Sequence, residues 1–325
     1  MRVFKQTNKQ IDMKNKLLAV LATLSMVASA SAVKVNDNLS INGFIDGSYA
    51  STDTGAAKTQ SLEVDEVELN FVTNVGNVSS LIAVDASFDG NESDSDGLGI
   101  EQAHFTYNIN DTVSVTFGRY GSALGFERED PAGLYTYSRA YSSTGGFNLG
   151  NIDAGAVDGL SIAYSGDAYS IAVSLHNQVG AEHLLETNDL DFEISFTYAG
   201  IAGLNIGGGF LVDNEESSAD ETDVVNVHLS RQFGKLLVAG EYTELSADAG
   251  DRDAYLVLAD YDVNNKLGVA LRLSSEEQAA GDYDKVTIAP NYAITESLGA
   301  ILEYSDIDDA GNDSEEYAVE LTYTF

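Results

Sequence analysis

The chain lacks cysteine and tryptophan and is poor in proline and in basic residues. Its 325 residues include no Cys, no Trp and two Pro, with 16 Lys and Arg against 52 Asp and Glu, for a net charge of −36. Without cysteine, disulfides, thiolate metal sites and thiol nucleophiles are excluded. Nucleic acid is excluded as a partner, because phosphate binding requires a basic surface. A disordered acidic chain is excluded too, since 44% of the residues are hydrophobic.

Long hydrophobic runs are also scarce, and the longest one lies at the N-terminus. The apolar stretch 17–27 follows a short basic start at Met13 and precedes the small residues 28–32, which offer A-x-A spacing. This order predicts a signal peptide over 1–32 that is removed on export, with Met13 as an alternative true start. The run is too short for a membrane span, and no later stretch has the roughly 18 consecutive apolar residues of a transmembrane helix.

Polar and apolar residues alternate along most of the remaining chain. From Leu190 to Tyr198 and again from Tyr317 to Phe325, every second residue is apolar and the residues between are mostly polar. Strict alternation over this length predicts β-strands with one apolar and one polar face. The candidate strands are 39–50, 61–73, 78–89, 98–109, 112–120, 157–164, 169–177, 189–199, 203–213, 222–233, 236–246, 253–262, 267–275, 284–293, 297–305 and 315–325.

The connections between these candidate strands alternate in length. Short connections with turn residues, such as 110–111 and 234–235, alternate with longer acidic ones, such as 213–221 and 306–314. The strand number is even, and most segments are near the roughly 9–11 residues that a tilted spanning strand needs. The all-β pattern therefore predicts an antiparallel transmembrane β-barrel of about 16 strands over residues 33–325, in the outer membrane of a Gram-negative-type bacterium.

A soluble exported β-protein is the competing prediction, since its strands also alternate. Tyrosines near strand ends, such as Tyr255 and Tyr261, favour the membrane, because aromatic girdles mark its two interfaces. The terminal pair Tyr323 and Phe325 resembles the signal that outer-membrane barrels present to the barrel-assembly machinery. Pro290 conflicts with its strand, because it removes a ladder hydrogen bond. We expect either a local break in pairing there or a shorter strand.

One connection is much longer than the others. Residues 121–156 separate the fifth and sixth candidate strands, and a loop of this length suggests a function. We predict that it folds back into the lumen as a constriction loop. An extracellular flap and an additional hairpin, with a strand at 134–141, are the alternatives.

A resemblance to a known family lies around this connection. The segment Phe117–Glu127 reads FGRYGSALGFE and looks like the G-[KR]-[FY]…G-[FY]-E segment of porin-type proteins. The segment Tyr135–Tyr141 reads YTYSRAY and is similar to the F-x-[YF]-S-R-[SA]-Y stretch of the OmpL-like porin family. The resemblance implies a passive diffusion porin, often trimeric, for small hydrophilic solutes. The heavy acidity and the lack of tryptophan depart from the family pattern and leave the solute open.

The predicted polar faces carry mostly acidic residues, which attract cations and repel anions. We therefore expect a cation-preferring pore. The predicted lumen-facing charges are Asp85, Asp89, Asp191, Glu193, Glu241, Asp260, Arg272, Lys285, Glu303 and Glu320. At the constriction, Arg119, Arg128 and Arg139 would face Glu127, Glu129 and Asp130 and create a transverse field. Alternatively, these loop charges pair with one another and hold the loop in place.

No other pattern carries chemistry. The four histidines, His104, His176, His183 and His228, lie on separate segments, and nothing resembles a nucleophile elbow or an ordered triad, so we predict no enzymatic activity. Residues 94–97 begin like a calcium loop but lack the distal glutamate, so we predict no metal site and no cofactor. The predicted partners are membrane lipid, lipopolysaccharide, the barrel-assembly machinery, solutes or ions, and two further copies of the chain. A structural or adhesive barrel with a filled lumen is the alternative function.

Overall fold

The computed structural model describes residues 32–87, 97–128, 130–142, 146–149, 156–177, 190–214, 222–247 and 250–325. These residues form one short strand and sixteen long ones. The strands are β1 Val33–Lys34, β2 Leu39–Asp53, β3 Lys58–Val75, β4 Val78–Ser87, β5 Gly97–Asn108, β6 Val113–Gly121, β7 Ala156–Ser165, β8 Tyr169–His176, β9 Asp191–Ile201, β10 Leu204–Val212, β11 Thr222–Phe233, β12 Leu236–Ala247, β13 Arg252–Asp262, β14 Leu267–Gln278, β15 Gly281–Ala293, β16 Leu298–Asp309 and β17 Asn312–Thr324.

The sixteen long strands close into a barrel. Each pairs in antiparallel fashion with its neighbours in the chain, and β17 pairs with β2 from Glu315↔Asp53 to Thr324↔Phe44. The terminal Phe325 completes the seam, because its backbone N–H and carbonyl exchange hydrogen bonds of 3.1 Å with Gly43. The predicted all-β barrel of about 16 strands is therefore confirmed, and closure leaves no sheet edge between the first and last strands.

The apolar faces of the strands point outward. In β8, the exposed residues are Tyr169, Ile171, Val173 and Leu175, while Ser170, Ala172, Ser174 and His176 alternate with them and are buried. The exposed apolar residues form the surface that meets lipid in an outer-membrane barrel. Among the described residues, no helix is long and apolar enough to cross a membrane.

Several strands extend farther than the sequence predicts. The acidic stretch 306–314 was expected to be a long loop, but β16 continues to Asp309 and β17 begins at Asn312. The two residues between them, Ala310 and Gly311, have φ values of 52° and 85°, which suit a tight hairpin of the I′ type. The prediction was wrong because acidic side chains are compatible with paired strands, and only their position relative to lipid restricts them. Segment 213–221 lies partly outside the described residues.

The ladder contains three irregularities that bear on the interior. Asp46 pairs with Glu66 and Gly47 with Val64, so Asp65 is an inserted bulge residue in β3. Glu101 is inserted in the same way in β5. At Pro290, pairing with β14 continues through Val269, but pairing with β16 skips Ala289 and Pro290. Of the two expectations for Pro290, the local break in pairing is therefore the one that the structure shows.

Candidate pore site

The connection between β6 and β7 contacts side chains on opposite walls of the barrel. Near its start, the backbone N–H of Ala123 donates to Glu193 of β9 at 3.0 Å. Farther along, the hydroxyl of Tyr137 lies 3.1 Å from Ser48 Oγ of β2, seven long strands away around the ring. Burial raises the pKa of Tyr137 to about 12, so its phenol stays protonated. We call residues 122–142, without the undescribed 129, the inner segment, because these contacts carry it across the interior.

Carboxylates of the wall fix the backbone of the inner segment. Glu241 accepts a hydrogen bond from the N–H of Phe126 at 2.7 Å, and Glu303 accepts one from the N–H of Tyr137 at 2.7 Å. Each of these two carboxyl groups therefore holds a backbone N–H of the inner segment at the wall. Three more backbone N–H groups of the segment donate to wall side chains: Ser138 to Glu303, Ser142 to Glu276, and Gly125 to the amide oxygen of Asn226.

Arg272 of β14 forms several hydrogen bonds to the inner segment. Its side chain is fully buried, and its guanidinium donates to Glu127 Oε1 at 2.7 Å and to Thr136 Oγ1 at 2.8 Å. It also donates to the backbone carbonyls of Ser138 and Arg139, both at 2.8 Å. A planar guanidinium with five donors suits this set of acceptors. Arg272 therefore holds two parts of the inner segment together.

Apolar side chains pack one face of the inner segment against the wall. Leu124 of the segment and Phe147 lie in one buried cluster with Leu256 and Leu258 of β13. Gly209 of β10 makes room for the segment, because a Cβ there would lie 2.7 Å from Leu124 Cδ2. This part of the wall is apolar where the sequence predicts a polar lumen face.

The predicted constriction residues lie in or beside the inner segment, but their described contacts are mainly local. Arg128 donates to the carbonyl of Ala123 at 3.1 Å, and Arg139 to the carbonyl of Glu127 at 2.7 Å. Arg119 forms an ion pair with Asp158 on the neighbouring strand β7. Glu129 lies outside the described residues. No strand forms at 134–141; a short 3₁₀ helix at Pro131–Gly133 is followed by Leu134 in extended conformation and then by bends at 135–138.

The predicted lumen charges lie on the buried faces of their strands, apart from the half-buried Asp85. Asp89 lies outside the described residues. The buried ones are Asp191, Glu193, Glu241, Asp260, Arg272, Lys285, Glu303 and Glu320. Lys285 pairs with Glu316 at 3.4 Å. The imidazole of His176 lies 4.0 Å from both Asp191 and Glu193.

Sequence reasoning missed one group of inward acids. One carboxylate oxygen from each of Glu68, Glu101 and Asp130 lies within 4.8 Å of the others. Strict alternation does not predict that Glu101 faces inward, because the bulge in β5 changes which residues of that strand face the interior. An open cavity of ≈ 940 Å³ on the side of the short turns is bounded by Tyr135, Lys235 and Lys266, among other residues.

Comparisons with known proteins agree with this architecture. A family model described as Gram-negative porin matches residues 18–325. No curated protein sequence matches the chain. Among solved structures, OmpF of Salmonella typhi, in complex with daunomycin, aligns with a TM-score of 0.69 and 15% identity over 90% of this chain and 100% of that one.

Two other solved structures share the fold. An anion-selective porin from Comamonas acidovorans aligns with a TM-score of 0.64 and 14% identity, covering 88% of this chain and 99% of that one. The trimer form of OmpT from Vibrio cholerae aligns with a TM-score of 0.60 and 14% identity, with the same coverage of 88% and 99%.

The closed barrel and its outward apolar face define an outer-membrane β-barrel of the porin class. The family match covers nearly the whole chain, so the chain belongs to the Gram-negative porin family and is a protein of the outer membrane. The predicted family resemblance at the level of porins and the predicted location are thereby confirmed.

Proposed function

We propose that the chain forms a passive diffusion channel for small hydrophilic solutes, narrowed by the inner segment. The observation that carries this proposal is the anchoring of that segment to both sides of the ring, at Glu193 of β9 and at Ser48 of β2. A segment held across the interior reduces the free cross-section. The open cavity of ≈ 940 Å³ on the short-turn side supplies a vestibule below it.

The channel prefers cations. The basic groups Arg119, Arg272 and Lys285 each pair with a carboxylate, which cancels their charge. By contrast, Glu193 and Glu303 accept hydrogen bonds from neutral N–H and O–H groups of the inner segment, and these neutral donors do not cancel a carboxylate charge. The interior therefore stays net negative. In this proposal the loop arginines hold the loop in place and do not present a transverse field.

Reversal potentials in planar bilayers under a potassium chloride gradient test this proposal. We expect the sign that indicates cation preference, and we expect it to weaken as salt is raised, because screening shortens the range of the field. An anion-preferring channel would contradict the charge argument while leaving the channel itself intact. A barrel that inserts but never conducts would contradict both.

A structural barrel with a filled lumen is the second candidate. The buried cluster that joins Leu124 and Phe147 to Leu256 and Leu258 supports it, because apolar packing occupies part of the interior. Conductance with neutral solutes of graded size separates the two functions. A channel predicts a size limit above which the solutes no longer reduce the current, whereas a filled barrel predicts no current.

The remaining partners belong to the same proposal. We expect a homotrimer, as in the trimer form of the Vibrio cholerae protein, and contact with lipid and lipopolysaccharide along the outward face. Phe325 and Tyr323, whose rings stack at 5.9 Å, would form the signal for the assembly machinery. Sedimentation of the detergent-solubilised protein, corrected for bound detergent, measures the oligomeric state; a monomer would contradict the trimer alone.

A further inference from the structure

A β-bulge in β5 turns an acidic residue toward the interior of the barrel. In β5, Gln102 pairs with Ala83 and Ile100 with Val84, so Glu101 is the additional residue. Ile100 is 56% exposed and Gln102 only 1% exposed, which places these two residues on opposite faces although they are two apart in sequence. Bulges redirect side chains in this way and occur next to functional sites.

The redirected Glu101 meets two other carboxylates from separate parts of the chain. Glu68 comes from β3 and Asp130 from the inner segment, and the three side chains each bring one oxygen within 4.8 Å of the other two. Glu68 and Asp130 are buried. Three carboxylates at such distances repel one another strongly, so their ionised forms require positive charge nearby.

Amide oxygens beside the carboxylates point to a ligand. Asn70 is 4% exposed; its Nδ2 donates to Glu68, which places its amide at the carboxylates, while its Oδ1 has no hydrogen-bond partner. Gln102 is 1% exposed, and its Oε1 has no partner either. Ala83 pairs with Asn70 on one side and Gln102 on the other, so the two amides flank one small side chain on the inward face. Buried acceptors without donors are costly unless something else binds them.

We infer that Glu68, Glu101 and Asp130, together with the amide oxygens of Asn70 and Gln102, bind a divalent cation where the inner segment meets the wall. Calcium fits better than magnesium, because it accepts six to eight oxygen ligands in flexible geometry, including carboxylates and amide carbonyls. The cation would join the inner segment to β3 and β5, on the wall opposite the bonds to Glu241 and Arg272.

Isothermal titration calorimetry of the refolded protein in non-ionic detergent tests this site with calcium chloride. We expect one saturable site per chain, with weaker binding of magnesium. Replacement of one ligand, Glu101→Gln, should weaken calcium binding by about tenfold or more, because affinity depends on the number of charged ligands. The control Glu277→Gln removes an exposed acid from β14 and should leave binding unchanged.

The variant Asp130→Asn is a second test of the site. It changes the inner segment and leaves the wall strands intact, so weaker binding in this variant cannot be attributed to a misfolded barrel. It should weaken binding as Glu101→Gln does. The inference is wrong if the unmodified protein shows no saturable site, or if Glu277→Gln weakens binding as much as the site variants do. The inference rests on the proposed channel, because the site lies where the inner segment meets the channel wall. The two proposals can still fail separately: a protein that conducts ions without binding calcium refutes only the calcium site.

Discussion

Arg272 on strand β14 and Glu127 in the inner segment form a buried ion pair of 2.7 Å between residues that are 145 positions apart in sequence. The two terminal nitrogens of Arg272 also donate to Thr136 and to the carbonyls of Ser138 and Arg139. The pair therefore connects the start of the inner segment, its middle and the barrel wall.

Replacement of Arg272 should loosen the inner segment. In Arg272→Met, Glu127 loses its cationic partner in a buried position, and such losses cost about 3–5 kcal/mol. We expect a lower thermal unfolding temperature and larger current fluctuations in single channels. The control Arg231→Gln changes a β11 arginine whose guanidinium lies over the ring of Phe233, and it should alter neither measurement.

The double variant Arg272→Met with Glu127→Gln distinguishes the contribution of the ion pair to stability from the contribution of side-chain packing. Because the second change removes the buried charge, the double variant should be more stable than Arg272→Met alone. A double variant as unstable as the sum of the two single variants would show that the two residues do not act as a pair.

Glu303 on β16 gives a second test of the anchoring. Its carboxylate accepts the N–H groups of Tyr137 and Ser138. In Glu303→Gln the amide oxygen can still accept both N–H groups, but it carries no charge, and neutral hydrogen bonds are about half as strong as charge-assisted ones, so the two bonds weaken by about 1–2 kcal/mol in total. We expect a lower midpoint in denaturant unfolding and noisier open-channel current. Glu315→Gln, on the exposed rim, is the matched control, and equal effects of the two variants would argue against the anchoring.

Much of the barrel could be predicted because each membrane-spanning strand must direct apolar side chains to the lipid and the alternate side chains to the interior. The alternation in Tyr317–Phe325 maps directly onto β17, and the short turn at 234–235 is found where the sequence places it. The acidic hairpin at 310–311 was missed because, beyond the hydrocarbon, polar residues pair as well as they form loops. The distinction between strand and loop is then made by backbone pairing, which composition does not reveal.

The site was less predictable for a related reason. A bulge shifts the alternation by one residue, so Glu101 could not be assigned to the inward face from its position in sequence. The wall partners Glu276 and Asn226 bind backbone N–H groups of the inner segment, and such bonds leave no signature in the sequence of the segment. Arg272 was predicted as a lumen charge, but its ion pair with Glu127 joins residues 145 positions apart, and the sequence does not reveal such a long-range contact.

Gly209 provides a steric test of where the inner segment lies. A Cβ at this position would lie 2.1 Å from the carbonyl oxygen of Ile194 and 2.7 Å from Leu124 Cδ2. In Gly209→Ala strands β9 and β10 must shift apart at Ile194, and Leu124 must move away from the wall; overpacking of this kind costs about 1–3 kcal/mol. Gly240→Ala is the control, because the nearest atom to its Cβ is 3.6 Å away. We expect a changed single-channel conductance in the first variant and none in the second; unchanged conductance in both would place the segment elsewhere.

Phe325 separates assembly in the cell from stability of the finished barrel. Its backbone exchanges two hydrogen bonds of 3.1 Å with Gly43, while its ring stacks on Tyr323. Phe325→Ala keeps the backbone bonds and removes the ring.

If the assembly machinery recognises the ring of Phe325, the amount of folded protein in the outer membrane should fall severalfold in this variant, as measured by the heat-modifiable band on gels. The same variant refolded in detergent should melt close to the unmodified protein, because the backbone bonds to Gly43 remain and only one half-buried ring is lost. Phe233→Ala, which removes an exposed ring at the end of β11, should leave the level in the membrane unchanged. An equal loss in both variants would show that aromatic anchoring in general, and not the terminal position of Phe325, determines the yield.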